Sequence, residues 1–481
     1  MSMRIFLVIG LTVAALAGQD QETILRTWVG YHTQLQSLPL TEEQKKEATR
    51  LGQEAQKLGF SGQFGEALKK FYQGTAVMQG IEWTPEVEVA AGLDCKLDHA
   101  VVQPGQEVKL GCRRLYVSER EKDAKLVARI TLRSGEEATE LKTGVAMSPE
   151  TWSAVALRIP EGKSGNYTVE AQLGPAEGAA PAKARSAYVK ANPVLIGRIA
   201  AEAAKLEARM KEMRLKEKMI DPTAEYALEL FRKADRGEVN PQRTDWTKTF
   251  ATAAALLESD DYFQGKTGDF HRAYRSAVDQ TLQPYRMFVP ASYTGEKAMP
   301  LVVALHGMGG DENSMFDVYP NNALKREAER HGMLMVAPKG RGPASMYRGE
   351  AEKDVLDVLE SVMSEYRVDA DRVYLMGHSM GGFGTWSIAA NYPDKFAALG
   401  PIAGGGSPAT MEKIKHVPQF VVHGDNDKTV PVTQSRAMVE AAKKLGTKVV
   451  YVEVPGGNHT AIAAPNFGPM FDFFAEQKRS R

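Results

Sequence analysis

An excess of charge of either sign is missing from this 481-residue sequence, which has 60 basic and 60 acidic residues. Proteins that bind nucleic acid normally carry a basic excess or a basic patch, so this balance argues against a nucleic-acid partner. The balance also gives no support for electrostatic docking on a membrane. Beyond the N-terminal end, no stretch is long and apolar enough to span a bilayer. The length exceeds that of one typical domain, so we expect a globular chain with several domains.

Cysteine is scarce, and the chain contains only Cys95 and Cys112. Both fall in one β-rich segment, and an even pair in an exported protein suggests one disulfide. Because sequence does not show whether their Cβ atoms are close enough, two buried thiols stay the alternative. His99 is the only other nearby residue that could bind a metal. No metal or cofactor is predicted, since Gly404-Gly405-Gly406 also lacks the Lys-Ser/Thr of a phosphate-binding loop.

The N-terminal end predicts export. Arg4 precedes a short apolar run from Ile5 to Ala17, and Ala15-Leu16-Ala17 offers small residues for cleavage. One positive charge, a short apolar core and such a site are typical of a signal peptide, here residues 1–18. No cysteine follows the site, which argues against a bacterial lipoprotein anchor. We therefore expect a secreted or periplasmic bacterial protein, with no integral membrane segment after cleavage.

The spacing of apolar residues divides the rest of the chain into four segments. Residues 19–83 are expected to be helical. Residues 84–190 contain short strand-like runs separated by turn signals, beginning with Val87-Glu88-Val89, and predict an immunoglobulin-like β-sandwich. Residues 191–280 return to helical spacing and are interpreted as a connector. Residues 281–479 alternate strands and helices, which predicts a mainly parallel sheet with helices on both faces.

Two roles are open for the β-rich segment. It either binds a polymer at the cell surface or holds the remainder of the protein in place as a spacer. No exposed aromatic cluster is visible in its sequence, so we favour the structural role.

One short stretch, Gly377-His378-Ser379-Met380-Gly381-Gly382, carries the strongest chemical signal. It follows a buried strand-like run and precedes a helical run, which is the context of a nucleophile elbow. The turn is tight enough to need glycine at 377 and 381, and it lifts the Ser379 hydroxyl above the end of the sheet. The amide of Met380, at the helix N-terminus, would face a developing oxyanion. Ser379 is therefore the predicted nucleophile.

A serine hydroxyl needs a base, and the base needs a carboxylate to orient it. Candidates follow two later strand-like runs, in His423-Gly424-Asp425-Asn426-Asp427 and in Gly456-Gly457-Asn458-His459. The order Ser379, Asp427, His459 is the one expected for an α/β-hydrolase. Loops at the carboxyl ends of parallel strands face one edge of the sheet, so three such loops can converge.

From about Gln283 to the C-terminal end, the chain resembles the α/β-hydrolase superfamily. It is most similar to the branch with prolyl-oligopeptidase-type catalytic domains, dienelactone-hydrolase-like proteins and polyhydroxybutyrate-depolymerase or feruloyl-esterase-like enzymes. Besides the elbow, the motifs that carry the resemblance are Leu305-His306-Gly307-Met308-Gly309-Gly310, His423-Gly424-x-x-Asp427-x-x-Val430-Pro431 and Gly457-Asn458-His459.

The resemblance implies specific roles for several residues. Asp427 is the implied acid, because it holds the fifth position of the His-Gly-x-x-Asp motif, and Asp425 is the fallback. Family members place a second oxyanion donor in the His-Gly-x loop, which implies the Met308 amide, with Gly307 next. The remaining motif histidines, at positions 306, 378 and 423, flank turns, and we expect structural hydrogen bonds from them rather than proton transfer.

These residues predict an exported serine hydrolase that cleaves a small-molecule or polymer-linked carboxylic ester through an acyl-enzyme. A serine peptidase of prolyl-oligopeptidase type (peptidase S9-like) is the first alternative, although nothing upstream shows a propeller's blade repeat. A non-catalytic protein that binds a surface polymer is the second, although no triad residue is missing. Only Ala403 to His416 separate two late strand-like runs, so we expect a fairly open site without a sizeable cap. The acyl and alcohol groups are not decided by the sequence.

Overall fold

The computed structural model divides the chain into two compact units. The residues whose structure it describes are 18–120, 126–147, 155–175, 189–259 and 262–479. Unit 1 comprises Met1–Ile220 and Ala227–Leu257, and unit 2 comprises Asp221–Tyr226 and Glu258–Arg481. Apart from its last residue, the predicted signal peptide lies outside the described residues. Among the described helices, none combines the length and the hydropathy of a membrane span.

Unit 1 begins with three helices, which are α1 (Gly18–Ser37), α2 (Glu42–Phe60) and α3 (Phe64–Gln79). A capping box starts α2: the Thr41 hydroxyl accepts from the Gln44 amide, and the Gln44 side chain accepts from the Thr41 amide. Tyr31 on α1 packs between α2 and α3, where Gly52 and Gly74 leave room for its ring. The cap of α2 and the buried ring of Tyr31 thus both help to fix the helical segment.

The run Val87-Glu88-Val89, which we predicted as a strand, is helical and lies in α4 (Pro85–Ala91). Thr84 caps this helix by accepting from the Val87 amide at 3.3 Å, and Pro85 fits its first turn because no N–H is needed there. Glu88 is buried and pairs with Lys69 at 2.8 Å. The prediction was wrong because it rested on the alternation of apolar and polar residues in this run. That alternation does not reveal the cap or the ion pair of the buried Glu88.

Two sheets follow in unit 1. A three-stranded antiparallel sheet has the order β1 (Leu93–Leu97), β3 (Glu107–Arg114) and β6 (Val155–Arg158). A five-stranded sheet has the order β2 (Val101–Val102), β8 (Val189–Ile196), β7 (Gly165–Pro175), β4 (Leu126–Ser134) and β5 (Glu137–Met147). Apolar side chains of both sheets share one hydrophobic core. Cys95 and Cys112 lie opposite each other on β1 and β3 and form the predicted disulfide.

The range predicted as a helical connector, residues 191–280, contains strand as well as helix. Its helices are α5 (Ile199–Leu215), α6 (Pro222–Asp235) and α7 (Trp246–Leu256), with a 3-10 turn at Pro241–Arg243. However, β8 extends into the range, and β9 (Gly268–Arg275) lies near its end. β9 is an edge strand of the sheet of unit 2 and is only partly buried, so its sequence lacks a continuous apolar run.

Unit 2 is built on an eight-stranded sheet with the order β16-β15-β14-β13-β11-β12-β10-β9. The other strands are β10 (Leu282–Val289), β11 (Met299–Leu305), β12 (Leu334–Pro338), β13 (Val368–His378), β14 (Ala398–Ile402), β15 (Gln419–Gly424) and β16 (Val449–Val454). β10 pairs antiparallel with both of its neighbours, and all other pairs are parallel. The sheet is therefore mixed and mainly parallel, with β13 in its interior.

Helices cover both faces of this sheet. They are α8 (Ser314–Asp317), α9 (Ala323–His331), α10 (Glu350–Glu365), α11 (Met380–Asn391), α12 (Thr433–Lys444) and α13 (Ala463–Ala475), with 3-10 turns at Pro320–Asn322 and Pro408–Ile414. Leu301 and Val303 of β11 face one core with α10, α11 and α12, whereas Val302 and Ala304 face another with α9 and α13. Burial on both faces leaves the carboxyl ends of the strands as the place for a site.

Candidate active site

Ser379 occupies the turn between β13 and α11. Its backbone has φ 58° and ψ −116°, a conformation that few residues other than glycine adopt. The Ser379 amide donates to the carbonyl of Ile402 at 2.8 Å, and the Ser379 carbonyl accepts from the amide of Phe383 at 3.1 Å. These two bonds hold the strained residue between a neighbouring strand and its own helix.

Two glycines of the elbow are required by close backbone approach. A Cβ atom added at Gly377 would overlap the backbone of Gly381, and one added at Gly381 would overlap the carbonyl of Leu305. The turn therefore crosses β11 with no space for side chains. This contact brings the nucleophile loop against the loop that follows β11.

Three predicted site residues meet at the carboxyl ends of β13, β15 and β16. Nε2 of His459 lies 2.8 Å from Oγ of Ser379, and Nδ1 of His459 lies 2.7 Å from Oδ2 of Asp427. Because the carboxylate can only accept, Nδ1 carries the proton, and the Ser379 hydroxyl donates to Nε2. The imidazole is thus oriented to remove a proton from the serine.

Hydrogen bonds hold Asp427 in its ionised form. Its Oδ1 accepts from the amides of Thr429 and Val430 at 2.8 and 2.9 Å, while Nε2 of His423 lies 3.3 Å from Oδ2. Burial acts to raise the pKa of Asp427, but the hydrogen bonds from His423, His459 and the Val430 amide outweigh it and hold the pKa well below its usual range. A fixed negative charge therefore faces His459.

The fallback acid, Asp425, has another partner. Its side chain is exposed, and its Oδ1 accepts from the amide of Gly456 at 2.7 Å. Asp425 thus braces the loop that carries His459, whereas Asp427 contacts the imidazole itself.

The loop after β11 lies beside Ser379. A Cβ atom at Gly307 would be 3.4 Å from Cβ of Ser379. Nδ1 and Nε2 of His306 each lie 2.8 Å from a carbonyl oxygen, of Gly307 and of Lys339 respectively. His306 therefore ties this loop to the segment after β12.

The two amides predicted to bind an oxyanion, of Met380 and Met308, lie at the start of α11 and in the loop after β11. Met380 is the first residue of α11, where amides have no partner within the helix. In the described part of the chain, the Met308 amide has no backbone acceptor, whereas the next amide, of Gly309, donates to the carbonyl of Pro343 at 2.7 Å. The bond to Pro343 fixes the course of the loop next to Met308.

The motif histidines other than His459 make hydrogen bonds to nearby groups. Nε2 of His378 lies 2.8 Å from the carbonyl of His459, and its Nδ1 lies 3.0 Å from the Tyr319 hydroxyl. Nδ1 of His423 lies 2.7 Å from Oγ of Ser435, and its Nε2 lies 2.9 Å from the carbonyl of Val430.

Two contributors to this site are not predicted by the sequence. Tyr319 and the segment from Lys339 to Tyr347 support motif loops through contacts distant in sequence, such as the bond from the Tyr347 hydroxyl to the His306 carbonyl at 3.3 Å. No motif marks either of them. Within the described ranges, no group of three or more His, Cys, Asp or Glu residues is arranged to hold a metal ion.

Comparison with known proteins finds similarity over part of the chain. Residues 343–473 match the PETase family, described as PET hydrolase-like. Unit 2 has the α/β-hydrolase fold. Over 131 residues the chain is 34% identical to the bifunctional acetylxylan esterase/xylanase XynS20E of Neocallimastix patriciarum, a match that covers 27% of this chain and 19% of that protein. Over 190 residues it is 25% identical to a probable feruloyl esterase C of Aspergillus terreus, covering 38% of this chain and 66% of that protein.

The chain thus spans about a fifth of the first relative and just under two thirds of the second. Among solved structures, a thermostable esterase aligns with a TM-score of 0.40 at 18% identity, covering 81% of this chain and 100% of that chain. Both of these sequence relatives are named as esterases. Their names agree with the carboxylesterase-like enzyme predicted from the motifs.

Proposed function

We propose that this protein is an exported serine esterase that cleaves carboxylic esters through an acyl-enzyme on Ser379. The observation that carries the proposal is the pair of contacts made by His459, 2.8 Å to Ser379 Oγ and 2.7 Å to Asp427 Oδ2. A base within hydrogen-bond reach of the nucleophile, itself oriented by a carboxylate, is what activation of a serine hydroxyl requires.

The reaction follows from this arrangement. Ser379 Oγ attacks the ester carbonyl carbon while its proton moves to Nε2 of His459. The tetrahedral intermediate collapses, the bond from carbon to the leaving oxygen breaks, and His459 gives its proton to that alkoxide. Water then attacks the acyl-enzyme with the same base, which releases the acid and restores Ser379. Asp427 stabilises the imidazolium of His459, which forms both when Ser379 is acylated and when the acyl-enzyme is hydrolysed.

The negative oxygen of each intermediate needs two donors. We assign this role to the amides of Met380 and Met308. Support comes from the position of Met380 at the start of α11 and from the closeness of Gly307, the neighbour of Met308, to Ser379. Removal of one such donor in other hydrolases costs about 10²- to 10³-fold in kcat.

The substrate is a small-molecule or polymer-linked ester. Feruloyl and acetylxylan esterases among the relatives favour esters carried on plant polymer, and the PET hydrolase-like match favours polyester as the second substrate class.

Export and the role of unit 1 belong to the same proposal. Residues 1–18 act as a bacterial signal peptide, and the disulfide between Cys95 and Cys112 suits an oxidising compartment. The two sheets of unit 1 form an immunoglobulin-like spacer, and contact with a surface polymer is its alternative role.

The first test uses the mature protein beside Ser379→Ala, with a fluorophosphonate probe and a p-nitrophenyl ester. Ser387→Ala is the matched control, since Ser387 lies in α11 and its hydroxyl contacts the Gly384 carbonyl at 3.2 Å, outside the triad. We expect labelling and turnover in wild type and Ser387→Ala, and neither in Ser379→Ala. Folded wild-type protein that does not label and does not turn over would refute the proposal.

A panel of methyl ferulate, acetylated xylan, an aliphatic polyester and a proline-containing peptide then separates the substrate classes. Turnover of the peptide above all the esters would favour the peptidase alternative.

A further inference from the structure

We infer that His378 is a positioning residue, which holds the backbone of His459 so that its imidazole meets Ser379. The inference rests on the proposed function, because it assigns the support of the base in that reaction. His378 directly precedes the nucleophile in the chain, so the same elbow would fix both reacting partners.

The hydrogen-bond directions around His378 are determined by its partners. Nε2 lies 2.8 Å from the carbonyl oxygen of His459, which can only accept, so Nε2 carries a proton. On the other side, Nδ1 lies 3.0 Å from the Tyr319 hydroxyl, which can donate. A neutral ring with its proton on Nε2 satisfies both contacts.

Burial keeps this ring neutral. His378 is buried, and burial, followed by the charge of His459, lowers the pKa of His378 to about 4. The other charged or titratable groups that act on it are Asp427 and His423. Since His378 stays uncharged when His459 accepts a proton, its hydrogen bond persists through the reaction without added repulsion.

Other contacts hold the loop of His459 but not its own backbone. Asp425 accepts from the Gly456 amide at 2.7 Å, and the Asn458 side chain accepts from the Ala461 amide at 2.9 Å. Within the described residues, no other hydrogen bond reaches the backbone amide or carbonyl of His459. Among these contacts, the hydrogen bond from His378 is therefore the one that holds the backbone of His459 itself.

Tyr319 supports His378 from the opposite side. The Tyr319 ring is buried and packs edge-on against Phe467 of α13, with centroids 4.8 Å apart. The chain of contacts from Phe467 through Tyr319 and His378 to His459 links the hydrophobic core to the base.

The test compares variants that differ in one donor. His378→Leu removes the donor to His459, whereas His378→Gln keeps an N–H at a similar reach. Tyr319→Phe removes only the hydroxyl next to Nδ1. Tyr374→Phe is the matched control, because it removes a buried tyrosine hydroxyl that donates to the Gln477 carbonyl at 2.9 Å, away from His459.

Steady-state rates are normalised to active sites titrated with the fluorophosphonate, so that misfolded protein does not count. We expect His378→Leu to lower kcat at least about tenfold with KM little changed, since misplacement by about 1 Å can cost about 10²-fold. His378→Gln should recover most of the rate, Tyr319→Phe should show an intermediate loss, and Tyr374→Phe should match wild type.

Proton NMR supplies a readout that does not need turnover. The proton between His459 Nδ1 and Asp427 should give a low-field resonance in wild type and His378→Gln, and that resonance should broaden or vanish in His378→Leu. Full kcat per titrated site and an unchanged resonance in His378→Leu would overturn the inference.

The two failures are distinguishable. Wild-type protein that cleaves no ester but shows the expected NMR pattern would refute the proposed function and leave the positioning role standing. Active wild type with an unaffected His378→Leu variant would refute only the positioning role.

Discussion

Asp427 contacts His459 at 2.7 Å, although Asp425 lies only two positions earlier in the same loop. Asp427 is buried and Asp425 is exposed. Asp427 accepts hydrogen bonds from the amides of Thr429 and Val430, whereas Asp425 accepts one from the amide of Gly456. Two acids that are two positions apart in one loop therefore have different partners.

Replacement of each acid by asparagine should separate their roles. In Asp427→Asn, the amide can donate to Nδ1 of His459, so the proton moves to Nε2 and the ring no longer accepts from Ser379. We expect kcat on a p-nitrophenyl ester to fall by about 10³- to 10⁴-fold. Asp425→Asn keeps an oxygen for the Gly456 amide and should retain most activity. Equal losses in the two variants would contradict the assignment.

Alanine at Gly381 should prevent the elbow from forming. The added Cβ would overlap the Leu305 carbonyl, and backbone cannot move aside as a flexible side chain can. We expect a loss in the free energy of unfolding above about 3 kcal/mol, or failure to fold, measured by denaturant titration.

Gly30 provides the matched control for that substitution. It lies inside α1, and no atom lies within 4 Å of a Cβ added there. Gly30→Ala should therefore be neutral or stabilise by up to about 1 kcal/mol, because alanine favours helix. A tolerated Gly381→Ala would show that the close crossing is not required.

Glu312, which follows the loop after β11, should make stability depend on pH. Burial and then the charge of Asp311 raise the pKa of Glu312 to about 7, against the opposing charges of Lys339 and Arg286. The folded pKa lies above the usual value of 4.5, so the folded protein binds the Glu312 proton more tightly than the unfolded chain does. The free energy of unfolding that this proton adds is complete below about pH 4.5 and is lost as pH rises through about 7.

Glu312→Gln imitates the protonated acid at every pH. We expect it to raise the free energy of unfolding by up to about 3 kcal/mol at pH 8 and to change it little at pH 4. Chemical denaturation at the two pH values measures this difference. Glu476→Gln, at an exposed position, serves as the control and should show no such difference. A Glu312→Gln variant no more stable than wild type at pH 8 would be evidence against a buried neutral carboxyl.

Loss of the disulfide should destabilise unit 1. Cys95 and Cys112 are 17 positions apart, and a bond that closes a loop of this length typically contributes about 2–4 kcal/mol. The double variant Cys95→Ser, Cys112→Ser should unfold at lower denaturant concentration by that amount. Wild type treated with a reductant should behave in the same way, and coincident unfolding curves for oxidised and reduced protein would contradict the expectation.

The sheet of unit 2 could largely be predicted from the sequence because its inner strands are buried on both faces. Runs such as Ala398–Ile402 are continuously apolar and short, which is typical of parallel strands. The edge strand β9 lacks that signal, and α13, which carries Gly468 and Pro469 in its interior, was not anticipated as a helix.

The sequence predicts that Ser379, Asp427 and His459 lie close together, because each follows a strand of one parallel sheet. The elbow is also predictable, because its glycine spacing is a local pattern. The contacts that support these loops could not be predicted, because they join distant parts of the chain. The segment after β12 has positive φ at Arg341, Met346 and Tyr347, residues for which sequence gives no reason to expect that conformation. Tyr319 likewise reaches the site through its contact with His378, which is 59 positions away in the sequence.

Helix α6 has a consequence for anyone who divides this protein by recombinant expression. Its first residues, within Asp221–Tyr226, belong to unit 2, and the rest belongs to unit 1. Thr223 accepts from the Ala273 amide of β9 at 3.2 Å, and Glu225 pairs with Arg275 of the same strand. A fragment of unit 2 that starts at residue 258 would leave the edge strand without these partners. Expression boundaries and domain swaps should therefore keep residues 221–226 together with the rest of unit 2, even though residues 227–257 belong to the other unit.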